Sequence, residues 1–387
     1  MSNYIKTLLL STMVLVIGNN SNYCYSNNMF NNFNNMVINI QQEIAQNNHV
    51  IMNYDLSKGC NDALLELYHM QTRNAYIIKE LIKGYSAIVA FIDDVIVNDG
   101  FDYFDENTKE KEFAKQLVNR LSMPVVNMLI NIKNQTQNNQ LLNQQQLQES
   151  ILHCTEEIIN VANNVLLDLK SPNNQIDIDS TKYAIDYINR GIKRLHKLQG
   201  WILLIRNDHN TMTNYNFSGE CNEALSELFK CFDENSPNAH IIYNFAMIYN
   251  SITTRISDNG LVEGLVEDYA NKFEEENEND LDNARTFTNQ LSNSITKHVI
   301  NMLINIENGR LNNDLNQQQL EELISHCINN IINTSNDVII ELTTDNNPLS
   351  NIYNKYFPNN NYVELAVHFI TTGIEKLREL KQQYNLP

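Results

Sequence analysis

Apolar positions recur every three or four residues along most of this chain. The clearest stretch, Asn143 to Leu169, places Leu147, Ile151, Cys154, Ile158, Val161, Val165 and Leu169 at that spacing. In an α-helix such positions line up as one stripe, because about 3.6 residues complete a turn. A later stretch repeats the pattern with Leu320, Ile324, Cys327, Ile331, Thr334, Val338 and Leu342. Phe30 to Tyr54, Arg73 to Val97, Thr108 to Lys133, Ala184 to Arg206 and Val363 to Tyr384 read as further helices. Breaks fall at Gly100, at Ser171-Pro172-Asn173-Asn174 and in Asn-rich stretches around Asn138 and Asn359. Pro124 lies inside one helix and is expected to kink it, since proline has no amide to donate.

The same text is written twice. Ser57-Lys58-Gly59-Cys60-Asn61-Asp62-Ala63-Leu64 returns 161 residues later as Ser218-Gly219-Glu220-Cys221-Asn222-Glu223-Ala224-Leu225. Asn74-Ala75-Tyr76-Ile77-Ile78 returns as Asn238-Ala239-His240-Ile241-Ile242, and Asn127 to Ile132 returns unchanged as Asn301 to Ile306. Asn143 to Leu147 returns as Asn316 to Leu320, and Gly191-Ile192-Lys193-Arg194-Leu195 as Gly373-Ile374-Glu375-Lys376-Leu377. Collinear matches in this order point to tandem duplication. Pairing Leu121 with Leu291 and Asn127 with Asn301 makes the offset step from 170 to 174, which places a four-residue gain, about one helical turn, between them. The expected fold is all-α: two tandem up-and-down helical bundles of about four helices each, over residues 27–206 and 207–387. They join near Trp201 to Asn216, with the Ala184–Arg206 helix able to link both. Eleven Gly and six Pro suit long helices better than a turn-rich β fold.

Residues 1–26 have another character. Lys6 precedes the apolar run Thr7 to Gly18, polar Asn19-Asn20-Ser21 follows, and Cys24-Tyr25-Ser26 offers small residues at the cleavage positions of a secretory signal peptide. The run is shorter than the roughly 20 residues of a membrane span. An uncleaved anchor, or a lipoprotein with Cys24 lipidated, is the alternative, but Ser21-Asn22-Tyr23 lacks the aliphatic pattern of a lipobox. The polar C-terminus is unlike a lipid-anchor tail. The expected location is therefore outside the cell, at its surface or in a vacuolar space, with no integral span after cleavage. A formal net charge of −19 argues against nucleic acid as a partner, because phosphate binding draws on clustered Lys and Arg.

Beyond the leader there are five cysteines. Cys60 and Cys154 recur as Cys221 and Cys327, on different predicted helices, so an exported chain is expected to form the disulfides Cys60–Cys154 and Cys221–Cys327. Four buried free thiols are the alternative. Cys231 has no counterpart and is left unpaired within the chain, as a free thiol or an intermolecular link. Asn134, Asn216 and Asn333 stand in N-x-S/T sequons, weak glycosylation candidates in so Asn-rich a chain.

Signatures of catalysis are missing: there is no HExxH, GxSxG, GxGxxG or phosphate loop. His153-Cys154 recurs as His326-Cys327, but neighbours on a helix point about 100° apart and do not share a metal while the Cys faces inward. The acidic stretches Asp99–Glu106 and Glu274–Asp282 do not follow EF-hand ligand spacing. No enzyme activity, cofactor or metal is expected. Most aromatics, Tyr243, Phe245 and Tyr249 among them, are expected in the core, while Asp99, Phe101, Tyr103 and Phe104 form a candidate partner-binding loop.

Val97-Asn98-Asp99-Gly100, Asp102-Tyr103 and Asn107-Thr108-Lys109-Glu110-Lys111 resemble the seroreactive secreted antigens of piroplasm (Babesia-type) blood parasites, over about fifteen residues. The resemblance implies an exported antigen that meets host cells or serum and carries no catalytic residues. The expected function is binding of a protein partner, from the host or the organism itself, the alternative being a carrier of a lipid or small hydrophobic molecule between the helices.

Overall fold

The computed structural model describes residues 27–46, 56–70, 74–91, 109–135, 143–172, 174, 176, 178–206, 216–256, 261–262, 278–311, 315–345, 347–356 and 362–387. Residues 1–26, read as a signal peptide, and the candidate partner-binding residues Asp99, Phe101, Tyr103 and Phe104 lie outside them. Every regular element among the described residues is a helix, so the chain is all-α as the periodicity predicts. The first half runs α1 (Asn27–Gln46), α2 (Leu56–Met70), α3 (Ala75–Phe91), α4 (Lys109–Gln135), α5 (Gln144–Leu169) and α6 (Ile178–Arg206). The second runs α7 (Ser218–Phe229), α8 (Pro237–Ile256), α9 (Glu278–Leu311), α10 (Gln317–Thr343), α11 (Pro348–Tyr356) and α12 (Tyr362–Gln383). Each half thus holds more helices than the four expected. α4 is continuous, with Pro124 inside it.

Local sequence starts α5 and α10 in the same way. Asn143 accepts the amide of Gln146 at 2.8 Å while the Gln146 side chain accepts the amide of Asn143, and Asn316 and Gln319 repeat the arrangement. Such a reciprocal cap satisfies two otherwise orphaned amides. The stripes read from the sequence face inward: Leu147, Ile151, Cys154 and Ile158 on α5, and Leu320, Ile324, Cys327 and Ile331 on α10, are almost fully buried.

Tertiary contacts recur at matching positions. The amide of Leu56 donates to Asn119 Oδ1 at 3.0 Å, and that of Phe217 donates to Asn293 Oδ1 at 3.0 Å. The Tyr85 hydroxyl meets Ser122 Oγ at 2.7 Å, and the Tyr249 hydroxyl meets Thr296 Oγ1 at 2.8 Å. These bonds set Asn119 against Asn293 and Ser122 against Thr296, both 174 residues apart, as are Asn127 and Asn301. Leu121 therefore corresponds to Ile295 rather than Leu291, and the offset has already risen from 164 at Ile78 and Ile242 to 174 at Asn119 and Asn293, a gain of ten residues before Asn119. Leu291 and Ile295 are both buried and one turn apart, so the apolar pattern alone accepts either pairing.

The halves interlock rather than meet at a linker. α6 gives Ala184, Ile188, Leu195, Leu198 and Ile202 to the first core, and Trp201 and Leu204 to the second, where Trp201 stacks on Tyr76 of α3. Leu311 of α9 reaches back against the first core. No boundary between cores falls at Arg206, because α6 carries an apolar stripe into each. No described helix is long and apolar enough to cross a membrane.

Candidate functional site

The cysteines come together in the pairs the sequence suggests, but as thiols. Cys60, Cys154, Cys221 and Cys327 are buried and none of them is joined in a disulfide, which corrects the expected cross-links. Each packs as a small apolar side chain with a weak donor: the Cys60 thiol points at the Ser122 carbonyl oxygen at 3.9 Å. Burial, and then the neighbouring Glu157 and Cys60, push the Cys154 thiol far up. Burial lifts Cys221 to about 12 against a smaller opposing pull from Lys197, and burial with Cys221 lifts Cys327. Thiols held neutral in this way are poor nucleophiles and poor metal ligands. Cys231 is exposed; its thiol points at the Glu227 carbonyl, and Arg310 donates to its sulfur at 3.8 Å.

The remaining sequence candidates do not gather into a site. Asn216 Oδ1 accepts the Ser218 amide at 3.0 Å and the Ser292 hydroxyl at 3.2 Å, just before α7, and its side chain is half-buried. Asn134 and Asn333 are exposed, but on helices α4 and α10 rather than on loops. His153 is exposed and faces Glu157 at 3.4 Å while Cys154 turns inward. In the second acidic stretch Asp280 pairs with Lys355 at 3.0 Å and Asp282 with Arg285 at 3.5 Å. Among the described residues no three His, Cys, Asp or Glu side chains gather where they could hold a metal.

Polar chemistry concentrates where the halves interlock. Glu307 of α9, almost buried, accepts the Tyr68 hydroxyl at 2.6 Å and the Lys79 ammonium at 3.1 Å, with Arg310 at 3.8 Å. Burial alone would raise its pKa; Lys79, Tyr68 and Arg310 together hold it below the usual carboxylate value. Lys83 bridges Glu80 at 3.0 Å and Glu227 at 2.7 Å. Beside them opens a groove of about 180 Å³ in which Lys83, Arg190, Lys193, Arg194 and Lys197 face Glu80, Glu220, Glu223 and Glu227. Five cations against four carboxylates leave almost no net charge, so the groove is a clasp between α3, α6 and α7 more than an anion site. A second cleft, of about 290 Å³ between α9 and α11, is open and lined by both polar and apolar groups, among them Asp280, Thr286, Phe287 and Ile352.

Sequence reasoning missed the exposed apolar side chains. Leu167 is 67% exposed and Tyr183 61%, near the hairpin that joins α5 to α6. Ile340 and Leu365 are 62% and 42% exposed at the ends of α10 and α12 nearest α11. Ile340 lies 173 residues after Leu167, the offset of the two capping boxes, and Leu365 lies 182 after Tyr183, the offset of Gly191 and Gly373. The same exposed apolar pair therefore stands at the same place in both halves. Tyr243 and Met247 on α8, at 51% and 55%, complete the group. Tyr243 was expected inside with Phe245, but two residues along a helix turn it about 200° away, onto the outer face.

No family model, no curated protein and no solved structure matches the chain.

Proposed function

We propose that this chain is an exported, non-enzymatic helical protein that binds a protein partner through the apolar hairpin ends of its two halves, and that it arose by duplication of one helical unit. The observation that carries the reading is the recurrence of Leu167 and Tyr183 as Ile340 and Leu365, all exposed. Leaving large apolar groups in water has a cost, and doing so twice at matched positions suits a contact surface better than chance decoration. Two like surfaces on one chain raise avidity for a repeated target. The leader-like residues 1–26 and the resemblance to piroplasm antigens support export and a host-derived partner. The carrier alternative has less support: both clefts described above are open and partly polar, and the core side chains are closed to solvent.

The test is affinity capture from host-cell surface and serum extracts, run in parallel with the wild-type chain and with the variant L167S/Y183S/I340S/L365S. A partner kept by the wild type and lost by the variant, with thermal unfolding unchanged, supports the reading. A partner kept equally by both, or lipid recovered in place of protein, overturns it.

A further inference from the structure

Tyr243 and Met247 lie away from the hairpin ends, and their positions have a counterpart elsewhere in the chain. The runs Asn74 to Ile78 and Asn238 to Ile242 match, so Tyr243 stands where the first half has Lys79, and Met247 where it has Lys83. Those two lysines fasten α3 to Glu307 and Glu227 of the second half. Hence the outer face of α8 is the face that, on α3, the following half covers. On α8 it is open: His240 is exposed beside Tyr243 and Met247, and Phe229 of α7 supports the Tyr243 ring with centroids 5.8 Å apart.

The opposite face is covered in both halves. Glu307 follows the run Asn301 to Ile306, and Lys133 follows the identical run Asn127 to Ile132. Glu307 receives α2 and α3 of the first half, whereas Lys133 donates to Gln41 of α1 at 2.8 Å. α1 lays Phe33, Val37 and Ile40, all buried, into the first core against α2 and α4. It closes one end of the array, and the α8 face is left at the other.

We infer that the α8 face is a self-association surface, on which a second copy of this chain docks through its own α8 face about a two-fold axis. Among the described residues head-to-tail addition has no free acceptor: α1 covers α2 and α4, and the first half covers α7 and α9. Replacing both lysines by Tyr and Met also removes the charges that the acidic acceptor, Glu227 and Glu307, would need. A two-fold pairing instead sets an apolar centre on its own copy, the arrangement of most homodimers. At its edge, Lys376 and Glu379 of α12 hold the positions that Arg194 and Lys197 hold beside the charged groove. A rim of both signs can face its own copy without the repulsion expected elsewhere on a chain of net charge −19.

Sedimentation velocity of the purified chain, from about 1 to about 100 μM, tests this. The expected result is a monomer–dimer equilibrium that stops at the dimer, with the dissociation constant raised at least about tenfold by Tyr243→Glu with Met247→Glu. Tyr243→Lys with Met247→Lys, which restores the residue type of the first half, gives the same loss. Since both side chains are exposed, the variants keep the wild-type unfolding midpoint at concentrations where all are monomeric. A wild type that is monomeric throughout, a dimer that both variants leave intact, or a series growing beyond the dimer overturns the inference. The hairpin-end variant L167S/Y183S/I340S/L365S leaves the dimer unchanged, which separates this surface from the one proposed for the partner.

Discussion

Gly191 of α6 lies so close beneath Ile88 of α3 that a Cβ on it would stand 2.2 Å from Ile88 Cγ1 and 2.9 Å from the carbonyl oxygen of Gly84. Gly373 of α12 repeats the approach against Ile252 of α8, where a Cβ would stand 2.3 Å from Cγ1. The backbone contact at Gly191 cannot be relieved by turning a side chain. Gly191→Ala is therefore expected to destabilise the fold by about 1–3 kcal/mol, from overpacking that outweighs the gain in helix propensity. Gly373→Ala, which meets only Ile252, costs less. Urea unfolding monitored by circular dichroism measures both, and equal or increased stability in the Gly191 variant would refute the close approach.

Ser122 Oγ donates its one proton to the Val118 carbonyl oxygen at 2.8 Å, so the Tyr85 hydroxyl is the donor in their bond, and Thr296, bonded to Ser292 at 2.8 Å, fixes the same direction for Tyr249. Tyr85→Phe removes the buried hydrogen bond to Ser122 and is expected to cost about 1 kcal/mol, and Tyr249→Phe, which loses the contact with Cys221 as well as the bond to Thr296, somewhat more. The two sites share no partner, so the double variant should show the sum of the single effects within about 0.5 kcal/mol. A clear departure from that sum in urea melts would mean that the two tyrosine sites are energetically coupled through α6.

Glu307 ties the acid response to the interlock of the halves. Its folded pKa lies below the ordinary carboxylate value, because Lys79, Tyr68 and Arg310 outweigh the effect of burial. A depressed carboxylate contributes stability that is present above its unfolded pKa and is lost as pH falls through the folded one. Wild-type stability should therefore drop as pH is taken below about 4.5. Glu307→Gln should be less stable at neutral pH, by about 1–3 kcal/mol, and should respond less to acid. Thermal melts at pH 7 and pH 3 measure this, and equal acid sensitivity in the two proteins would remove Glu307 from the account.

Much of the fold was legible because its signal is periodic: the Leu147–Leu169 stripe and its partner on α10 follow directly from spacing, and the cysteines within them pointed to the correct neighbours. The interlock was not legible, since Trp201 and Leu204 continue the α6 stripe without a mark to show that they enter a different core. Register was also hidden, because Leu291 and Ile295 offer the same apolar character one turn apart. The exposed pairs could have been found by asking which apolar positions fall off the stripe: Leu167 lies two residues after Val165 and two before Leu169, on the opposite side of α5.

Thiol chemistry separates the five cysteines that follow residue 26. Cys231 is exposed, while Cys60, Cys154, Cys221 and Cys327 are buried, and burial holds the last three at raised pKa values. A thiol reagent at pH 8 attacks the thiolate, so in the native chain from Asn27 onward only Cys231 is expected to react quickly. Cys231→Ser should abolish that fast phase without changing the unfolding midpoint, since the side chain supports no core contact. Adding denaturant without reductant should then release the four buried thiols together. If no further thiol appears, the buried sulfurs are oxidised in the purified protein, and their assignment as free thiols is overturned.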